Sequence, residues 1–584
     1  MSAPEKVLVI GDDMRSFLAT VRSLGRAGLE VHVAPYDFLA PALSSRYIKK
    51  FHALPVYLDG GDQWKTAITK LLESERFSLV IPCDERSLLP LVRHAPELSA
   101  YSVLSIPDEH GMAVFFDKHA TRELAASLEI SVADGMLLSA TDTAAGIAAR
   151  LGLPLIAKDR KSYAWPDIYV RTKAVVIKTA DELESWLGSH QALGDTILFE
   201  KMFPGAGVGV SVLCDNGKIL QAFEHHRVRE FDGSGYYRKS APINQSRLAA
   251  VSKLVAATGY TGIAMFEFKV DLSDDTWILL EVNARPWGSL PLPVAIGVDF
   301  PLRLYRLLVH GERSAPVGYP IARYGRNLVA DFWQTRLAAR SMLRTPMKLI
   351  GYLGNWLFGF RHLVTGHEYH DGVVNDDRQP GRLEIRQTID EMTGTLRSKF
   401  LGWSQPRRSG LPKAIADLAR SMVAPIRILI VCDGNICRSP YAELRLGKLL
   451  ERYADRIEIG SAGMLPRNRR HSPRVAIDAA ARRSIDLSPH MSQYAFAPEV
   501  EAASLILIFD MVNHRSMQAR YPEQMHKVYF LGELANGSAT IDEIPDPISK
   551  SAAGFDACYQ TIDDCLARFA AQVEIANAGS ASHA

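Results

Sequence analysis

The stretch VCDGNICRSP, Val431 to Pro440, follows the apolar run IRILIV and leads into the helical pattern YAELRLGKLL. An apolar strand that turns into a helix within a few residues is an α/β device. Cys432 and Arg438 bracket a C-x5-R pattern inside the turn. A tight loop ahead of a helix points its backbone N–H groups inward, and the helix N-terminus adds partial positive charge, so the turn can hold an oxyanion. Arg438 can grip two phosphate oxygens, and the same field favours a Cys432 thiolate as nucleophile. Ser439 can donate to that sulfur, and Gly434 and Asn435 tolerate a left-handed backbone. The turn EIPDPIS offers Asp546 as the acid that protonates a leaving oxygen.

These features come late in 584 residues, too many for one core. The reading is a multidomain α/β and α+β chain: an α/β domain over 1–114, a nucleotide-binding domain over 115–310, a helical extension and linker over 311–424, an α/β phosphate-binding domain over 425–575 and a disordered tail over 576–584. KVLVI and EVHVAP read as buried parallel strands, but the first turn, GDDMRS, lacks GxGxxG and supports no dinucleotide site. WSQPRRSGLPK reads as a linker. A formal net charge of +2 gives no field that would favour nucleic acid. Six scattered cysteines form no disulfide framework or CxxC pair, and with no signal-peptide layout they fit a reducing cytoplasm. LIGYLGNWLFGF, Leu349 to Phe360, is too short to span a bilayer. It reads as a buried helix or a partner-facing patch, with peripheral membrane contact as the alternative.

The middle of the chain carries a second constellation. Glu267 (FEF) and Glu281 with Asn283 (EVNAR) come from neighbouring apolar strands, a pattern that suits one or two hard divalent cations beside nucleotide phosphates. Arg285 can neutralise charge on a transferring phosphoryl group. Lys118, at a helix start, and Lys158, at a strand end, can reach phosphates as point charges.

VCDGNICRSP resembles the signature of the low-molecular-weight protein-tyrosine phosphatases. SAGM, IDLSPHMSQ and LILIFDMVNH fall where that family has matching segments. The resemblance runs from about Ile426 to Phe569 and implies a doubly wound α/β fold with a four-stranded parallel sheet. Its implied roles are Cys432 nucleophile, Arg438 phosphate clamp, Asp546 general acid, Ser439 thiolate partner and Asn435 loop organiser, with no cofactor. The implied partner is a phosphotyrosine protein, such as a tyrosine kinase of bacterial surface-polysaccharide export. Two residues depart from the pattern: Asp433 puts negative charge at the rim, and Ile548 replaces a common aromatic. An arsenate reductase on this fold is a rival that needs further redox cysteines, whereas Cys558 and Cys565 read as core.

Residues 115–305 resemble ATP-grasp carboxylate–amine ligases, with 1–114 as the α/β domain that precedes them. The resemblance implies ATP with Mg²⁺ or Mn²⁺, and small carboxylate and amine substrates joined through an acyl phosphate. Glu267, Glu281 and Asn283 would hold the metal. Glu200 and Lys201 would face adenine, and the backbone near Met202 and Phe203 would pair with its edge. Phe231 to Ser240 would be a flexible loop over the phosphates, with Arg238 as a substrate contact. A non-catalytic ATP module that regulates the phosphatase is the alternative.

Overall fold

The computed structural model describes residues 4–581, apart from 39, 56, 58–59, 164, 166–167, 169–171, 173, 232–233, 344, 401–409, 421–424, 466–469, 496, 536–542 and 548–551. The chain forms two compact units, Met1–Thr393 and Gly394–Ala584.

The first unit opens with a five-stranded parallel sheet. Lys6–Ile10 lies at its centre, flanked by Glu30–Ala34 and then Ile48–Phe51 on one side and by Leu79–Pro82 and Val103–Leu104 on the other. Val7, Val9, Val31 and Ile81 face one core, and Leu8, Ile10 and Val80 face another. Both faces are covered, as near-continuous apolar strands require. A small antiparallel sheet follows, built from Gly135–Leu137, Leu155–Asp159, Val175–Ile177 and Ile197–Lys201.

The third sheet has seven strands. Trp277–Asn283, Gly262–Val270, Ala206–Asp215, Lys218–Phe231 and Ser234–Ala241 pair antiparallel in that order, and Tyr324–Arg326 and Glu368–His370 complete it. Residues expected to form a helical extension therefore supply two strands of this sheet. Buried ions hold them there: Arg326 pairs with Glu368 at 2.6 Å and Asp331 at 2.7 Å. Farther along, Arg22 pairs with Asp377 at 2.8 Å. Truncating one partner of such a pair strands a buried charge, at a cost of ~3–5 kcal/mol.

Three sequence expectations need correction. Phe231 to Ser240 is largely strand, and Arg238 is fully buried and ion-paired with Asp371, so it is no substrate contact. The helix Pro346–Phe358 has no buried residue. The helix Ala552–Ala581 continues well into the stretch read as a disordered tail.

The second unit carries a four-stranded parallel sheet in the order Ile457–Gly463, Ile426–Cys432, Leu505–Ile508, Val528–Phe530. The helix Leu411–Arg420 buries Leu411, Ile415 and Ala419 in the same core as Ile428, Ile430 and Tyr559. The packed unit thus begins upstream of the boundary expected near residue 425. Cys558 and Cys565 lie in that core.

Candidate functional site

In the second unit, the central strand ends at Cys432 and the helix Arg438–Leu449 begins at Arg438, so the C-x5-R turn spans the C-terminal edge of the sheet. Cys432 Sγ lies 3.0 Å from Ser439 Oγ and accepts the backbone N–H of Asn435 at 3.2 Å. Asn435 is fully buried with φ 49, the left-handed conformation expected for it.

Asn435 also explains why three separated segments converge. Its amide donates to Ser439 Oγ at 2.9 Å and to Ser461 Oγ at 2.8 Å. Its Oδ1 accepts the Gln493 N–H at 2.7 Å, and its carbonyl lies 2.8 Å from His490 Nε2. SAGM and SPHMSQ thus meet the loop at one residue. Gly463 has to be small: a Cβ there would lie 2.9 Å from the Asp433 carbonyl oxygen and 3.0 Å from the Asn435 nitrogen.

Arg438 is fully buried and tied on three sides. It donates to Asp510 Oδ2 at 2.5 Å, the Ile544 carbonyl at 2.9 Å and Asp546 Oδ2 at 2.7 Å. Burial works against its charge, but Cys432, Asp510 and Asp546 outweigh it and raise the Arg438 pKa. Asp510 was not singled out from sequence. Its signal is a strand, LILIF, that ends in an Asp which caps the next helix by accepting the Asn513 N–H at 2.9 Å. Glu443, also missed, accepts from Ser461 at 2.5 Å, and burial raises its pKa. Asp433 accepts from Asn513 at 3.2 Å; burial, followed by the nearby Asp510 charge, lifts its pKa. Burial, followed by the Asp546 and Cys432 charges, pushes the Cys437 thiol well up. Cys437 is therefore held as a neutral thiol. Ile548 lies outside the described residues.

The first unit holds a cavity of about 740 Å³ lined by Lys118, Glu281, Asn283 and Arg285, together with Glu85 and the loop residues Lys161, Ser162 and Tyr163. A smaller cavity shares Glu281, Asn283 and Arg285 and adds Glu267, Arg15 and Arg227. Glu267 and Glu281 are register partners on neighbouring strands, and Met265 is opposite Asn283. Side chains two apart along a strand share a face, so Glu281, Asn283 and Glu267 converge. Asn283 Nδ2 donates to Glu267 Oε1 at 3.3 Å, and Arg227 donates to Glu267 Oε2 at 2.5 Å. Arg285 pairs with Glu85 at 2.7 Å, and Lys118 Nζ donates to Ser162 Oγ at 2.8 Å and the Asp159 carbonyl at 3.0 Å. Two carboxylates and an amide oxygen on one sheet face form a hard-oxygen donor set that fits a divalent cation.

Lys158, Glu200, Lys201, Met202 and Phe203 do not line either cavity. Lys158 and Glu200 pair with each other at 2.6 Å across the small sheet, which leaves the lysine charge occupied within the protein. Met202 is 41% exposed, and its N–H donates to the Pro154 carbonyl at 3.4 Å. The residues missed from sequence are Glu85, Arg15, Arg227 and the loop around Lys161. Glu85 opens the helix Glu85–Arg93 at the end of IPCDE, a polar turn after an apolar strand, which was its available signal.

Residues 427–578 match the family low molecular weight phosphotyrosine protein phosphatase. The chain is 32% identical over 135 residues to the probable low molecular weight protein-tyrosine-phosphatase EpsP of Ralstonia nicotianae, covering 23% of this chain and 87% of that one. It is 33% identical over 136 residues to the low molecular weight protein-tyrosine-phosphatase Wzb of Escherichia coli K12, covering 23% of this chain and 87% of that one. Among solved structures, it is similar to N5-carboxyaminoimidazole synthetase from Staphylococcus aureus complexed with ADP, at 16% identity and a TM-score of 0.44 over 56% of this chain and 81% of that one. It is also similar to L-amino acid ligase from Bacillus licheniformis, at 18% identity and a TM-score of 0.41 over 53% of this chain and 75% of that one.

Proposed function

The chain belongs, through its C-terminal unit, to the low molecular weight phosphotyrosine protein phosphatases, and from that premise we propose a bifunctional enzyme. The second unit hydrolyses the phosphate ester of a phosphotyrosine protein. The first unit uses ATP to activate a small carboxylate for attack by an amine. The observation that carries the first activity is the convergence of Cys432 Sγ, the Asn435 N–H and Ser439 Oγ beside Arg438, which also holds Asp546.

Cys432 Sγ attacks phosphorus; an S–P bond forms and the P–O bond to the phenol breaks. Asp546 gives its proton to the departing phenolate oxygen. Arg438 holds two non-bridging oxygens, and the loop N–H groups take the third. Water then attacks the cysteinyl phosphate and gives a proton to Asp546, inorganic phosphate leaves, and the thiolate returns. Asp433, at the loop's edge, places carboxylate charge where acidic flanking residues of a substrate would sit, and so selects against them.

In the first unit, Glu281, Asn283 and Glu267 would hold Mg²⁺ or Mn²⁺, which supplies charge neutralisation at the ATP phosphates. Arg285 and Lys118 face the same cavity and complement the phosphoryl charge.

The test is an acid quench of full-length protein turning over a phosphotyrosine peptide. One phosphoryl group should appear on the Cys432 peptide. Phosphate release that persists in Cys432→Ser would overturn the assignment.

A further inference from the structure

The helix Pro346–Phe358 is apolar over most of its circumference, with Lys348 and Asn355 on one edge, yet only one side of it is covered. Leu349, Tyr352, Leu353 and Trp356 turn inward, half-buried, and Trp356 Nε1 donates to Asp331 at 2.9 Å. Met347, Ile350, Leu357 and Phe358 turn outward, at 81%, 65%, 62% and 62% exposure. With Gly354 they fall at i, i+3, i+7, i+10 and i+11, a stripe about 100° wide at 100° per residue. A Cβ added at Gly351 or Gly354 would meet nothing within 4 Å among the described residues, so this face opens to solvent. Leu343 before the helix and Val364 after it are also exposed, at 68% and 88%. A contiguous apolar patch of this kind marks a docking surface.

The charges around it select the occupant. Between Asp331 and Glu368 the sequence has no Asp or Glu, but it has Arg336, Arg340, Arg344, Lys348 and Arg361. Arg340, Lys348 and Arg361 are exposed, and the Arg361 guanidinium lies 3.9 Å from the centre of the Phe358 ring. A second copy docked face to face would bring these cations against themselves. A protein groove would have to offer both an apolar floor and an acidic rim. An anionic bilayer supplies both together: acyl chains for the stripe and negative headgroups for the basic rim. No helix among the described residues is long and apolar enough to cross a membrane, so the contact is peripheral.

We propose that residues 336–364 are an interfacial anchor, in which the Met347–Ile350–Leu357–Phe358 stripe enters an anionic lipid surface and Arg340, Lys348 and Arg361 engage its headgroups. The anchor would hold both active units at the membrane surface, where membrane-associated phosphotyrosine proteins are concentrated.

The experiment is flotation of the full chain with vesicles of phosphatidylcholine alone, and of equal parts phosphatidylcholine and phosphatidylglycerol. Binding is expected with the anionic vesicles only, weakening as salt rises. Arg340→Gln, Lys348→Gln and Arg361→Gln should each weaken it roughly fivefold. Ile350→Asp with Phe358→Asp should abolish flotation. These positions are exposed, so hydrolysis of p-nitrophenyl phosphate and the unfolding midpoint should stay at wild-type values and certify the fold. No flotation with anionic vesicles overturns the proposal, as does flotation that survives the double substitution. A dimer in solution that the double substitution dissociates, without lipid binding by the wild type, assigns the face to a second copy and also overturns it.

Discussion

Replacing Asn435 with alanine should loosen the whole second unit by an amount that its contacts allow us to work out. The side chain makes three hydrogen bonds: to Ser439 at 2.9 Å, to Ser461 at 2.8 Å and from Gln493 at 2.7 Å. Ser439 keeps Cys432 and the Ala462 carbonyl, and Ser461 keeps Glu443, so neither hydroxyl is orphaned. Each of the three bonds is then worth ~1 kcal/mol net. Alanine at φ 49 adds ~1 kcal/mol of left-handed strain. The sum is about 4 kcal/mol, or roughly a thousandfold in an opening equilibrium. Hydrogen exchange of the full chain, read on the strand Ile426–Cys432 by mass spectrometry, isolates this unit. Asn435→Ala should speed exchange there by about three orders of magnitude. Asn435→Gly, which removes the same bonds but tolerates the backbone, should recover roughly fivefold of that. The Ser439 hydroxyl would also lose a tether, so phosphatase kcat should fall in both variants. Exchange that stays at the wild-type rate, or is equal in the two variants, would refute this account of the loop.

Two further outcomes follow from the geometry. Asp546→Asn should slow phosphotyrosine hydrolysis ~10²–10⁴-fold and p-nitrophenyl phosphate hydrolysis less, because a more acidic leaving group needs less protonation; paired kinetics on the two substrates checks this. Burial, then the Asp371 charge, raises the Glu384 carboxyl from 4.5 to about 7. The folded first unit therefore binds more protons than the unfolded chain between those values, and its stability should fall as pH rises through them. Unfolding midpoints across that window should decline in the wild type and flatten in Glu384→Gln.

The phosphatase loop was legible because its chemistry is local. One strand, one turn and one helix start contain the proposed nucleophile, clamp and thiolate partner, so residue type and spacing suffice. Asp510 was not, because its role depends on a buried arginine 72 residues away. The same limit explains the first unit. Glu267, Glu281 and Asn283 share a face by the two-residue period of a strand. Lys158 and Glu200 obey that period too, but cross-strand pairing turned them toward each other. The resemblance implied a loop at Phe231 to Ser240, whereas Arg238 finds its carboxylate on Asp371 after a long excursion of the chain. Strands of three residues, such as Tyr324–Arg326 and Glu368–His370, carry too little pattern to be seen. Nor can periodicity tell a covered apolar helix face from an open one.

The pairing of two chemistries in one chain is tested most directly by ADP release from Mg-ATP. The full chain carrying Cys432→Ser, which silences the phosphatase, would be assayed against pooled small carboxylates and amines, with and without Glu281→Gln. The account predicts ADP release that requires both a carboxylate and Glu281. ATP binding with no acceptor-dependent ADP release would contradict it and leave the phosphatase as the chain's one chemistry.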